Sequence, residues 1–167
     1  MRSLGIDPGT ATMGWGVVED DGAGGVGLVD YGALTTSKDL ALGERLRLLY
    51  AGLNDIIARY RPDTAGVEEL FFSRNVSTAI SVSHARGIVL LALANAGVPV
   101  EEYRPMAVKL GITGYGHADK AQIQEMVRLQ LGLERIPKPD DAADALAIAI
   151  CHIYAGATLS RYRGGEG

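Results

Sequence analysis

Among the 20 acidic residues of this 167-residue chain, four sit where carboxylates can do joint chemistry: Asp7, Glu68, Asp141 and Asp144. Asp7 closes a short apolar run, residues 3–7, immediately before the turn signal Asp-Pro-Gly. Glu68 closes a second run, residues 64–68. If both runs are strands and parallel neighbours, the two carboxylates share the carboxyl edge of a sheet, where open α/β sheets bind ligands. Asp141 and Asp144 lie three apart at the start of the last helical stretch and so share one helix face. Carboxylates gathered this way repel unless cations, protons or basic side chains accompany them. Mg²⁺ favours such oxygen ligands and Mn²⁺ accepts the same set. Two ions about 3.5–4 Å apart can clamp the attacking water and the leaving oxygen of a phosphodiester.

Each residue also has a plain structural reading. Asp7 suits a turn, Asp140 or Asp141 suits a helix start, and Glu68 suits a solvated strand end. Asp144 is harder to place that way. It interrupts the apolar run 142–150, on an alanine-rich helix face that must pack closely, and capping does not account for it.

The elements that must position these groups follow from the hydrophobic pattern. Residues 3–7, 13–19 and 26–34 read as three strands joined by short turns, an antiparallel meander. Leu42, Leu46, Leu49, Leu53 and Ile56 recur at helical spacing across 42–60. A strand at 64–68 follows, then an apolar helix over 77–96, a strand at 98–103, and helices over 105–110, 118–131 and 140–157. This order predicts an α/β fold, a five-stranded mixed sheet with helices on both faces, in one domain over residues 1–157. Residues 158–167 read as a mobile tail.

Three stretches match a known pattern. Gly5-Ile6-Asp7-Pro8-Gly9-Thr10 with Gly14-Trp15-Gly16-Val17, Val67-Glu68-Glu69-Leu70-Phe71, and Asp141-Ala142-Ala143-Asp144-Ala145-Leu146-Ala147-Ile148-Ala149 resemble the three acidic motifs of the RuvC family of Holliday-junction resolvases. Ala85-Arg86-Gly87, Val108-Lys109, Gly114-Tyr115-Gly116 and Lys120 fit the same pattern, so the resemblance spans about residues 2–157. It implies a ribonuclease-H-like nuclease whose metal-binding carboxylates are Asp7, Glu68, Asp141 and Asp144. Lys109 and Lys120 fall on basic positions near the scissile phosphate. The resemblance also implies a homodimer that nicks a four-way junction symmetrically and cooperates with a branch-migration complex. Two Mg²⁺ per site are expected, with Mn²⁺ able to substitute. Water activated by the metal attacks the phosphodiester, Asp7 bridges the ions, and Lys120 steadies the phosphate charge.

Phe71 and Phe72 are the only phenylalanines, and both fall on a predicted loop beside Glu68. Aromatics so placed stack on unpaired bases, worth about 1–3 kcal/mol per base. The plain alternative is that they anchor the loop to the core. Arg74 suits a backbone phosphate, with Arg104 and Arg128 as further candidates. The helix at 77–96 reads either as a central core helix or as a dimer seam through Ala79, Val82, Ala85 and Arg86.

Bulk properties leave this reading open. The net charge of −4 weighs against DNA, but the first 72 residues carry 6 basic and 11 acidic side chains, against 10 and 9 afterwards. One cysteine excludes an internal disulfide. With no signal-like opening, and with a longest apolar stretch (87–100) that reads as short of a bilayer span, a cytoplasmic location without membrane contact is expected. Three rivals remain on the sequence: a sugar-kinase-like phosphotransferase, suggested by the turn at 7–12, a non-catalytic junction-binding module, and another ribonuclease-H-like nuclease, for instance one acting on RNA–DNA hybrids.

Overall fold

A computed structural model describes the backbone of residues 1–69 and 76–164 and the side chains within 1–69 and 77–156. Ten elements run along the chain: β1 (Arg2–Asp7), β2 (Thr12–Asp20), β3 (Val26–Thr35), α1 (Leu42–Tyr60), β4 (Thr64–Glu68), α2 (Val76–Asn95), β5 (Val100–Tyr103), α3 (Pro105–Thr113), α4 (Lys120–Gln130) and α5 (Asp140–Gly164). The sheet order is β3-β2-β1-β4-β5. β1 pairs antiparallel with β2 and parallel with β4, and β4 pairs parallel with β5. The meander and the two crossovers expected from the sequence are therefore present.

Strand alternation divides the core between two faces. Leu4 and Ile6 of β1 point to one side and pack with Leu49, Leu53 and Ile56 of α1 and with Val89 and Leu93 of α2. Gly5 points to the other side, where α5 lies with α3 and α4, in a second cluster built on Leu146, Ile148, Ile150, Val108 and Val127. Asp7 and Glu68 fall on the α5 side by the same alternation, because Gly5 and Gly66 precede them by two residues and both face α5.

Glycines on this face let α5 approach at backbone distance. A Cβ built on Gly5 falls 2.0 Å from the Ala145 carbonyl oxygen, and one on Gly14 falls 1.9 Å from that of Asp141. Gly16 meets the Leu146 side chain at 2.6 Å in the same way. Ala142, Ala145 and Ala149 of α5 are fully buried against this floor. The helix therefore rests on backbone, and its first turns are held at a height that side chains larger than hydrogen would raise.

Several boundaries differ from the sequence reading. α4 starts at Lys120 rather than 118, because Asp119 and Gln122 form a reciprocal capping box that fixes the first turn. α3 runs on to Thr113, where Gly114 closes it in the left-handed conformation. α5 continues to Gly164 instead of ending at 157, since no proline or glycine pair interrupts it before 164–165.

α2 corrects one expectation and separates two open readings. Helix Ser77–Asn95 is long and apolar enough to cross a membrane on length and composition, so 87–100 is not the longest apolar segment. Its inner face is nonetheless core, with Ala85, Val89, Ala92 and Leu93 buried. Ala79 and Ala85 point inward, as in the core-helix reading, and Arg86 is bound to Glu102 of β5. Ile80, His84, Gly87 and Leu91 are among the exposed residues of the helix, at spacings of four, three and four.

The glycine floor yields a stability prediction. Gly5→Ala should lower unfolding stability by at least about 1–3 kcal/mol, the usual cost of overpacking a tight core. Gly43→Ala, where a Cβ meets nothing within 4 Å in α1, should be neutral or slightly stabilising. Urea titrations of both variants check this, and equal midpoints would contradict the packing described.

Candidate active site

The site forms where β1 and β4 end beneath the start of α5. Their parallel register runs to Ile6 beside Val67, so Asp7 and Glu68 follow as the next neighbours. Asp7 donates a side-chain hydrogen bond to Glu68 and lies within electrostatic reach of Asp144 and Asp141. The structure thus brings together all four carboxylates singled out in the sequence.

Their protonation reflects that crowding. Burial, followed by the charges of Glu68, Asp144 and Asp141, pushes the Asp7 carboxyl up to about 8. Burial and then the charge of Asp144 raise Glu68, opposed by the hydrogen bond from Asp7. Burial raises Asp144 as well, opposed by the ammonium of Lys120. Lys120 Nζ stands 3.5 Å from Asp144 and 3.3 Å from Asp140. Burial alone would lower the Lys120 ammonium, but these carboxylates hold it above its ordinary value.

The neighbouring acidic residues Asp140 and Glu69 are each paired with basic side chains. Asp140 is tied to Lys138 at 2.7 Å as well as to Lys120, and hydrogen bonds from both hold its carboxyl below the usual range. Glu69 points to the opposite side from Glu68 and meets Arg104 at 3.1 Å. Asp7 and Glu68 have no comparable ion pair with a basic side chain among the described residues. A buried pair of acids with a proton between them, flanked by two further carboxylates, is the donor chemistry that a hard divalent cation satisfies. No three Asp, Glu, His or Cys side chains among the described residues already surround one point as a closed ligand set. Mg²⁺ does not require one, because it takes one or two carboxylates and keeps several waters.

Two openings flank the carboxylates. A cleft of about 190 Å³ between α3, α4 and α5 is lined by Glu68, Asp144, Lys109 and Lys120, so both predicted lysines face the acidic group. On the far side of Asp141 a groove of about 490 Å³ runs past Thr10, Thr12, Thr78 and Ser81. Thr10 and Ser81 hydroxyls are 2.5 Å apart and join the β1–β2 turn to α2. Sequence reasoning missed this hydroxyl-lined groove, whose residues come from three separate segments. Arg128, a sequence candidate for DNA, is bound to Glu125 at 2.6 Å. His152 is a packing residue, with Thr64 and Tyr103 hydroxyls 2.7 Å from its two ring nitrogens. Phe71, Phe72 and Arg74 lie outside the described residues.

A sequence profile described as "Crossover junction endodeoxyribonuclease RuvC" matches residues 3–152. The chain belongs to the RuvC family. A relative of that same description from Chloroflexus aggregans (strain MD-66 / DSM 9485) is 66% identical over 162 residues, 97% of this chain and 98% of the relative. A solved structure titled "T. thermophilus RuvC in complex with Holliday junction substrate" superposes with a TM-score of 0.89 at 42% identity, covering 93% of this chain and 94% of that one. The yeast mitochondrial Holliday junction resolvase Ydc2 shares the fold at 14% identity, with a TM-score of 0.69 and coverage of 97% and 83%. The ribonuclease-H-like architecture expected from the sequence is therefore the RuvC fold. Membership sets aside the sugar-kinase reading of the turn at 7–12.

The raised Asp7 carboxyl gives this RuvC-family chain a definite pH signature. Native Asp7 keeps its proton to about pH 8, whereas its ordinary value is 3.8. Between those values the native state binds the extra proton, so stability falls as pH rises. In chelator, the melting temperature of wild type should fall more between pH 6.5 and 8 than that of Asp7→Asn. His152, which burial lowers, shifts both proteins alike. Parallel melting curves across that range would contradict the described burial of charge.

Proposed function

We propose that this chain is a metal-dependent crossover junction endodeoxyribonuclease that resolves four-way DNA junctions by paired symmetric nicks. The observation that carries the reading is the convergence of Asp7, Glu68, Asp141 and Asp144 where β1 and β4 end beneath α5, with burial and then the neighbouring carboxylate charges raising the Asp7 carboxyl to about 8. Asp7, Glu68, Asp141 and Asp144 would together hold Mg²⁺, for which Mn²⁺ can substitute. When bound, the metal supplies charge stabilisation and an activated water. Hydrolysis adds water across the phosphorus–O3′ bond and leaves 5′-phosphate and 3′-hydroxyl ends.

The remaining roles follow from position. Lys120, held by Asp144 and Asp140 at the cleft wall, offers its ammonium to charge developing on the phosphate. Lys109 across the same cleft seats the DNA backbone. Phe71 and Phe72 are assigned to unpaired bases at the junction centre and Arg74 to a phosphate, from the sequence pattern alone. A homodimer suits a substrate with two equivalent cleavage points. Its seam is assigned to the outer stripe of α2, where Ile80 and Leu91 are 52% and 50% exposed. Residues 1–157 form the nuclease domain, the location is cytoplasmic, no membrane is involved, and a branch-migration complex is the expected partner.

Asp7→Asn should abolish Mg²⁺-dependent nicking of a synthetic four-way junction while leaving junction binding intact, and wild-type nicking by that variant would refute the assignment. Lys120→Ala should slow single-turnover cleavage by roughly 10²–10³-fold, the usual loss for one electrostatic stabiliser. Lys109→Ala should weaken binding and reduce the slope of log affinity against log salt by about one. Filter-binding and cleavage series against linear duplex complete the comparison.

A further inference from the structure

The carboxylate cluster is held on its two sides by different means. On α5, Lys120 pairs with Asp140 and Asp144, and Lys138 pairs with Asp140. On the strand side, Asp7 ends β1, and the turn that follows, Pro8-Gly9-Thr10-Ala11, carries no charged side chain. We propose that Thr10 and Ser81 are positioning residues of the metal site: the bond between their hydroxyls ties the turn after Asp7 to α2 and keeps Asp7 in place for a cation. The proposal rests on the metal-dependent reading above and adds to it a link that lies outside the four carboxylates.

The turn is clamped from two directions. Thr10 Oγ1 and Ser81 Oγ lie 2.5 Å apart, although 71 positions separate them along the chain. Thr10 is only 7% exposed, so its hydroxyl has been withdrawn from water and relies on this partner. From the other side, Thr36 Oγ1 donates to the Thr10 carbonyl at 2.5 Å, and the Thr36 amide donates to the Ala11 carbonyl at 3.0 Å. Arg45 Nε of α1 donates in turn to Thr36 Oγ1 at 2.9 Å. The turn is thereby joined to α1 through Thr36 and to α2 through Ser81, and those two helices share one core.

Its position gives the link its use. Asp7 lies opposite Gly14 in the β1–β2 ladder, and Gly14 is the residue against which the Asp141 backbone rests. Thr10, Ser81 and Asp141 line the same groove. The ionised carboxylates repel one another, and a turn outside the strands is the part that such repulsion displaces most easily.

The chemistry of the clamp fits that task. A basic side chain on the turn would relieve the repulsion by pairing with the carboxylates, and would then compete with the metal for them. Neutral hydroxyls fix the backbone and leave the carboxylate oxygens to the cation. Groups of a functional site must be held to within about 0.5 Å of the productive geometry, which a turn anchored at one end only does not ensure. One net hydrogen bond shifts an equilibrium by roughly three- to tenfold.

The test is the affinity of the DNA-free protein for Mn²⁺, titrated by calorimetry at one fixed pH, with cleavage as a second reading. Thr10→Val keeps the shape and removes the hydroxyl, Thr10→Ser keeps the hydroxyl, and Ser81→Ala removes the partner. Thr10→Val and Ser81→Ala should each raise the Mn²⁺ dissociation constant roughly three- to tenfold, the double variant should bind no more weakly than either alone, and Thr10→Ser should bind as wild type does. The Mg²⁺ concentration for half-maximal single-turnover cleavage should rise by the same factor, while affinity for a four-way junction in chelator stays unchanged. A bond that serves folding alone would lower the melting temperature in chelator and leave Mn²⁺ affinity where it was. That result, or losses that add in the double variant, overturns the proposal. If circular dichroism shows that Thr10→Val does not fold, Ser81→Ala, at a half-buried position, decides by itself. Wild type that binds Mn²⁺ yet cuts no junction overturns the nuclease reading and leaves the link standing, whereas wild type that binds no Mn²⁺ overturns both.

Discussion

The contact between the α5 backbone and the glycine face of the central strands is the constraint on which the rest of this structure depends. Asp141 and Asp144 are useful only if the first turn of α5 sits directly over the ends of β1 and β4. Gly5 and Gly14 make that possible, since a methyl group on either would enter the backbone of the helix. The alanines at 142, 145 and 149 complete the arrangement from the helix side. Small residues on both partners exchange dispersion contacts between side chains for proximity between main chains. The return is a fixed height for two carboxylates of α5 relative to the two at the strand ends.

That proximity is electrostatically unfavourable in the metal-free protein, and the surroundings are organised to contain the cost. Asp7 and Glu68 share a hydrogen bond. Asp144 leans on Lys120, which also binds Asp140, which in turn holds Lys138. The basic chain stops there, on the α5 side, and among the described residues Asp7 and Glu68 have no ion pair with a basic side chain. The same geometry places Lys120 over the cleft in a fixed orientation, so one interaction both relieves repulsion and aims a positive charge.

Much of this was legible in the sequence because it rests on short-range patterns. The strand ends at Asp7 and Glu68, the i, i+3 pair at Asp141 and Asp144, and the amphipathic α1 follow from alternation and helical period. Glycine at positions 5, 14 and 16 was visible too, yet its meaning was not, since a glycine reads as a turn until its neighbour across the sheet is known. The orientation of α2 was left open by the sequence for a related reason. A helix apolar on every side has no inner face in sequence, and only packing against α1 decides that Ala79 and Ala85 go inward while Ile80 and Leu91 go outward. The hydroxyl-lined groove escaped notice because its walls come from segments that only the fold brings together.

The position of α5 at the end of the chain has a consequence for how the protein is made. β1, β4 and both lysines of the cleft emerge from the ribosome before residue 140, yet Asp141 and Asp144 arrive only with the final helix. Until that helix docks, the growing polypeptide presents two acids and an uncovered glycine groove. The carboxylate cluster is therefore completed last, since two of its four members wait for α5.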